Sequence, residues 1–175
     1  MCEFADFYHP RRVWFLYLFC SFFDICEGLP DVVTKDSGGD LIRGVKGEFA
    51  ASQDTFVNNM KRVQAWDESR VVITKGWFNE TASISPVERI SFLRLDGDLY
   101  SSTWDAITGF YDRVVHGGLI YVDDYGSFNG CRLAIKEFRS QRRIYEPLHF
   151  IKEPNGKTEA VWWRKIGDTM SNDLL

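Results

Sequence analysis

The stretch that most constrains this chain is Arg89-Ile-Ser-Phe-Leu-Arg-Leu-Asp96-Gly-Asp98-Leu-Tyr-Ser-Ser-Thr103. Its apolar part, Ile90 to Leu95, predicts a buried strand that stops at carboxylates and small residues and then opens into a helix. The same order of residue types returns one helix later, in Gly117-Gly-Leu-Ile-Tyr-Val-Asp123-Asp124-Tyr125. Two apolar strands that each end in Asp would set Asp96, Asp98, Asp123 and Asp124 along one edge of a parallel sheet. In open α/β sheets, ligands bind at that edge. Carboxylates gathered there repel one another unless they share a positive charge, and a hard divalent cation such as Mg²⁺ meets that need. Each Asp taken alone also suits a turn or a helix cap. Matched at two strand ends, they point to a site.

Composition narrows the setting. At 175 residues, with 45% hydrophobic and 26% charged content, the chain has the size and make-up of one soluble globular domain. A net charge of -4 offers no basic face for a phosphate backbone, so nucleic acid is not expected as a partner. Cys2, Cys20, Cys26 and Cys131 form no CxxC pair and read as reduced packing residues of a cytoplasmic protein. Val13 to Phe23 is an unbroken apolar run behind Arg11 and Arg12, which mimics the core of a secretion signal. Glu3 and Asp6 precede it, no Ala-x-Ala site follows, and it is too short to cross a bilayer. The expectation is a cytoplasmic chain with no stable membrane span.

Taken in order, Met1 to Pro10 reads as a poorly ordered lead-in. The apolar run then forms a strand that ends at Asp24, before a Gly28–Pro30 turn. Asp31 to Gly47 carries Gly38, Gly39, Gly44 and Gly47 and reads as a mobile loop. Ser52 caps a helix with Asp54 in its first turn and Phe56, Met60 and Val63 on one stripe. Arg70 to Lys75, rich in β-branched residues, reads as a strand leading into Gly76-Trp77-Phe78, and a polar loop reaches the Asp96 strand. The helix after Asp98 carries Trp104, Ile107, Tyr111 and Val114 on one side and stops at Gly117-Gly118. A further helix spans Asn129 to Ser140, with Cys131, Ile135 and Phe138 at helical spacing. Leu148–Lys152 and Glu159–Arg164 flank Pro154-Asn-Gly156 as a hairpin. This alternation predicts an α/β fold, a doubly wound sheet that closes in an antiparallel hairpin. The expected bounds are a lead-in at 1–10, one domain at 11–166 and a tail at 167–175.

Several of these blocks resemble, in the same order, those of the macrocin/mycinamicin-type sugar O-methyltransferases, a class I S-adenosylmethionine-dependent family. They are Asp24-Ile-Cys-Glu-Gly-Leu-Pro30, Lys75-Gly-Trp-Phe78, Leu93-Arg-Leu-Asp-Gly-Asp-Leu-Tyr-Ser-Ser-Thr103, Gly117 to Tyr125, and Gly130-Cys-Arg-Leu-Ala-Ile-Lys-Glu-Phe138. The resemblance implies a Rossmann-like methyltransferase sheet of strand order 3-2-1-4-5-7-6. It implies methyl transfer from S-adenosylmethionine to a hydroxyl, assisted by Mg²⁺. The metal would fall to Asp96, Asp123 and Asp124, and Asp96 would also be the catalytic proton acceptor. Asp24 would meet the ribose of the cofactor, and Gly76, Trp77 and Phe78 its adenine. Asp98 and Tyr100 would cap the following helix. The partner would be a small-molecule hydroxyl acceptor of sugar type, and a homo-oligomer is allowed.

The sequence departs from that family at one end. The family's first strand and Gly-rich loop belong before Arg11, and Met1 to Pro10 holds no glycine. Phe15 to Phe22 reads as an insertion, and Ile25-Cys26 stands where the family has Ser-Phe. The expectation is therefore a methyltransferase sheet lacking its first strand and Gly-rich loop, with impaired cofactor binding and activity. Two other readings stay open on the residues. A non-catalytic remnant fits the missing strand. A Mg²⁺-dependent phosphohydrolase fits the Asp pairs, but residues 99–122 lack the Lys such enzymes use.

Overall fold

A computed structural model describes residues 52–69, 71–74 and 76–167. The expectations for the lead-in, the 13–23 run, Asp24, the 31–47 loop and the 168–175 tail lie outside these residues. The described elements are α1 (Gln53–Arg62), α2 (Phe78–Ile84), β1 (Ile90–Leu95), α3 (Tyr100–Phe110), β2 (Val114–Val122), α4 (Asn129–Gln141), β3 (His149–Lys152) and β4 (Thr158–Arg164). No helix among them is long and apolar enough to cross a membrane.

Helix α1 starts as its sequence dictates, with the Ser52 hydroxyl accepting the Thr55 amide at 3.1 Å. Of its apolar stripe only Phe56 is buried, and Val63 is 63% exposed. Val71 to Thr74 joins no ladder among the described residues. β-branched content reports fitness for a pleated surface and not pairing. Here the Val71 amide is spent locally, on the Asp67 carbonyl at 2.8 Å.

The segment expected as a polar loop before β1 contains α2 instead. Its N-cap, Trp77, makes no side-chain cap bond, so the usual start signal is missing. Phe78, Thr81 and Ala82 are buried, with Ala82 so close to Gly109 of α3 that a Cβ on Gly109 would lie 2.5 Å from the Ala82 Cβ. The C-terminal end of α2 is capped from 31 residues away: the Arg113 guanidinium donates to the Ala82 carbonyl at 2.7 Å. It also donates to the carbonyls of Val87 at 3.1 Å and Ser85 at 3.3 Å.

Strands β1 and β2 are parallel neighbours, and the sheet order is β1-β2-β4-β3. This is the 4-5-7-6 portion of the expected methyltransferase order, with β4 and β3 forming the antiparallel hairpin. One expected boundary moves. Helix α3 ends at Phe110, a 3₁₀ turn spans Tyr111–Arg113, and β2 begins at Val114 rather than at the Gly117-Gly118 pair. Val114 pairs with Ile90, so the Gly pair lies inside the strand, where one residue of β1, Ser91, faces four of β2. Gly117 has φ +77, and a Cβ on Gly118 would lie 2.7 Å from Val114 Cγ1. From Leu119 onward the ladder is regular and ends with Leu95 opposite Val122.

One core unites the elements that matter. Leu93, Leu95, Ile120, Val122, Val161 and Trp163 from the sheet pack with Ala106, Ile107 and Phe110 of α3 and Cys131, Ile135 and Phe138 of α4. Each large side chain so buried stabilises by roughly 1.5–3 kcal/mol relative to exposure. These residues hold the ends of β1 and β2 level with each other, and the carboxylates stand on those ends.

Candidate functional site

Asp96 directly follows β1, and its side chain is 11% exposed. Gly97 then turns the chain tightly over the start of α3, where an added Cβ would meet the Thr103 hydroxyl at 3.0 Å and the Thr103 amide at 3.1 Å. Asp98 comes next with φ +45, a left-handed conformation that a short polar side chain tolerates. It is buried at 6% exposure. From the neighbouring strand end, Asp124 accepts the Asp98 amide on Oδ2 at 3.2 Å. One carboxylate oxygen from each of Asp96, Asp98 and Asp124 lies within 4.8 Å of the others.

Asp123 stands beside this group but faces other partners. Its Oδ2 is bound by Arg94, and its Oδ1 accepts the Tyr121 hydroxyl at 3.1 Å. The second guanidinium nitrogen of Arg94 meets Asp96 at 2.7 Å. The structure thus brings together Asp96 and Asp124 of the expected metal ligands, adds Asp98, and ties Asp123 to Arg94. Asp98 does not cap α3, whose N-cap is Leu99 without a side-chain bond. The Tyr100 hydroxyl donates to Glu137 of α4 at 2.5 Å. Gly76 has φ +136, Trp77 is 42% exposed and Phe78 is in the core.

Crowding sets the electrostatics. Burial, then the Asp124 and Asp123 charges, raise the Asp96 carboxyl to about 7, against the relief given by Arg94. Burial and the neighbouring Asp98 raise Asp124 to about 7, and burial and Asp96 raise Asp98 to about 6. Groups that hold protons this firmly are equally suited to a cation, which removes the repulsion without neutralising each acid. The donors are all carboxylate oxygens, the set that suits Mg²⁺ or Ca²⁺ and not zinc. Cys131 lies near but adds no thiolate, because complete burial pushes its pKa well up. The residues present therefore fit a hard divalent ion.

The family model described as macrocin O-methyltransferase (TylF) matches residues 8–165. The chain belongs to this family. Among macrocin-type relatives, the demethyldecarbamoylnovobiocin O-methyltransferase of Streptomyces niveus is 32% identical over 145 residues, 81% of this chain and 53% of the relative. The mycinamicin III 3''-O-methyltransferase of Micromonospora griseorubida is 33% identical over 147 residues, 81% of this chain and 55% of the relative. The solved O-methyltransferase NovP superposes with a TM-score of 0.61 at 33% identity, over 68% of this chain and 47% of that one. The fold is thus the Rossmann-like methyltransferase fold. The chain spans about half the length of the curated relatives it matches. Membership in a macrocin-type family of O-methyltransferases removes the phosphohydrolase reading.

One site residue, Arg94, escaped the sequence reading, and another, Asp98, was set among the four carboxylates of the sheet edge but left out of the expected metal ligands. Arg94 precedes Asp96 by two, so strand alternation puts both on one face, and that period was the available signal. Asp98 looked like a cap because Asp is common there; only its positive φ directs it to Asp124.

Proposed function

We propose that this chain provides the carboxylate side of an S-adenosylmethionine-dependent, Mg²⁺-assisted O-methyltransferase acting on a sugar-type hydroxyl. The observation that carries the reading is the meeting of Asp96, Asp98 and Asp124 at the carboxyl ends of two adjacent parallel strands, in a family of O-methyltransferases. S-adenosylmethionine supplies an electrophilic methyl group. Bound there, Mg²⁺ would lower the pKa of the acceptor hydroxyl and fix its oxygen. Asp96 and Asp124 hold the cation in this reading. Asp96, at the carboxyl end of β1 beside the cation, is also the proposed proton acceptor when the hydroxyl oxygen takes the methyl group. Asp24, Gly76, Trp77 and Phe78 are the proposed cofactor contacts, on the family pattern.

The test is transfer of label from methyl-tritiated S-adenosylmethionine to a panel of deoxysugar acceptors by the purified chain, with calorimetric titration of the cofactor alongside. Transfer that chelation abolishes and Mg²⁺ restores is the expected result. Neither binding nor transfer, at any Mg²⁺ concentration, would remove the proposal for this chain.

A further inference from the structure

The turn after β2 carries Asp123 and Asp124, then runs through Tyr125, Gly126 and Ser127 towards α4. Its backbone carbonyls lie outside any ladder, so each needs a donor from elsewhere. The Asp124 carbonyl takes the amides of Ser127 at 3.2 Å and Phe128 at 2.9 Å. The next two carbonyls, of Tyr125 and Gly126, receive no backbone amide among the described residues. One side chain of α4 meets both. Arg132 donates through Nε to the Tyr125 carbonyl at 3.0 Å and through Nη2 to the Gly126 carbonyl at 3.1 Å. Its guanidinium also lies 5.8 Å from the centre of the buried Tyr125 ring, which packs edge-on against Phe150. A rigid planar fork suits two successive carbonyls, where an ammonium would meet one. Strand β4 holds the same turn from its other side: the Glu159 carbonyl accepts the Gly126 amide at 2.8 Å, and its carboxylate accepts the Ser127 hydroxyl at 3.2 Å.

We infer that Arg132 is a positioning residue of the candidate site, clamping the Tyr125–Gly126 backbone so that the Asp124 carboxylate keeps its place at the Asp98 amide. Asp124 is joined to Tyr125 by a single peptide unit, so any slip of the turn moves its carboxylate. Arg132 acts through that backbone and not through its charge. The two effects differ in sign. A positive charge near carboxylates repels a cation, so losing the charge alone would strengthen Mg²⁺ binding, whereas losing the clamp weakens it. This inference rests on the Mg²⁺ reading above.

The experiment is calorimetric titration of the full 175-residue chain with MgCl₂, comparing wild type with Arg132→Met, Arg132→Lys and Arg142→Met. Arg132→Met is expected to weaken binding about tenfold or more. Arg132→Lys keeps the charge but not the fork, and should fall between the two. Arg142→Met removes a like charge from the far end of α4, where Arg142 pairs with Asp112, and should leave the affinity unchanged. Wild-type or tighter binding by Arg132→Met overturns the inference and leaves the metal reading standing; so does an equal loss in Arg142→Met. If Arg132→Met does not fold, Arg132→Lys decides by the same comparison with wild type. A second readout needs no metal. Hydrogen exchange at the Ser127 and Phe128 amides, which close on Asp124, should quicken about tenfold in Arg132→Met. Unchanged exchange there also overturns the inference. No Mg²⁺ binding by wild type removes the metal reading alone, and the clamp on Asp124 then stands or falls by the exchange.

Discussion

The Asp98 amide donates to Asp124 Oδ2 at 3.2 Å, which ties the turn after β1 to the turn after β2. The bond joins backbone to side chain across two strands, so the spacing of the two carboxylates does not depend on either loop alone. It also places Asp98 close enough to raise the hold of Asp124 on a proton, while burial and the Asp96 charge raise that of Asp98. That crowding leads to the first prediction.

Without a cation, Asp96 and Asp124 titrate at about 7 and Asp98 at about 6, against about 3.9 for an unfolded Asp. The folded state therefore binds protons that the unfolded state has already lost. The resulting stability is complete below about pH 4 and disappears as pH rises to about 7. Thermal melts of metal-free chain should show Tm falling between pH 5 and 7.5, with a shallower fall in Asp98→Asn. Mg²⁺ at a hundred times its Kd adds about 2.7 kcal/mol, and should do so mainly near neutral pH. A metal-free Tm that rises across this window contradicts the crowding.

Gly126 sits where the turn after β2 meets β4. A Cβ there would lie 1.6 Å from the Thr158 carbonyl oxygen, while the Gly126 amide bonds Glu159 O at 2.8 Å. Backbone cannot yield as a side-chain tip can. Gly126→Ala should cost about 1–3 kcal/mol or more, seen as a lower urea midpoint. Because the same turn carries Asp124, Mg²⁺ affinity should fall with it.

Arg113 serves α2 from outside. Removing its guanidinium leaves the carbonyls of Ala82, Ser85 and Val87 without that donor, and it also lies 5.1 Å above the Phe110 ring. Arg113→Met should destabilise by about 1–3 kcal/mol. Arg113→Lys should recover only part, since one ammonium cannot reach three acceptors in a fork. Hydrogen exchange across residues 78–84 localises the effect, and unchanged exchange there would count against the capping role.

Ile120 is fully buried at the centre of the core, two pairs from the level ends of β1 and β2. Ile120→Ala should cost about 2–5 kcal/mol by chemical unfolding. A cost below 1 kcal/mol would mean that the core collapses around the cavity, and the strand ends would then have no firm floor.

How far the sequence disclosed this arrangement depended on the range of the forces involved. Ile90–Leu95, the α4 helix and the closing hairpin were legible because alternation, helical spacing and the Pro-Asn-Gly turn act within a few residues. Helix α2 was hidden, since its cap is Arg113 and its packing partner is Gly109. Val114 fell on the helical stripe of Trp104 and Ile107 and was drawn into β2 by Ile90, across the ladder. The Asp cluster was visible as two strand ends. Its division into Asp96, Asp98 and Asp124 on one side and Asp123 with Arg94 on the other was not, because that depends on one left-handed residue and one inter-strand pair.

The bulge at Gly117 and Gly118 works as an expansion joint. Chain length can change upstream of Leu119 and be taken up there, while the four pairs from Leu119 to Val122 keep count to the carboxylates. An extra residue between Gly117 and Gly118 should therefore leave Mg²⁺ binding intact. The same insertion between Ile120 and Tyr121 would turn Tyr121 into the core and Val122 out of it, and would separate Asp123 from Arg94 at one stroke. Tolerance to insertion thus changes abruptly within three residues of one strand, at the point where the chain stops absorbing error and starts measuring.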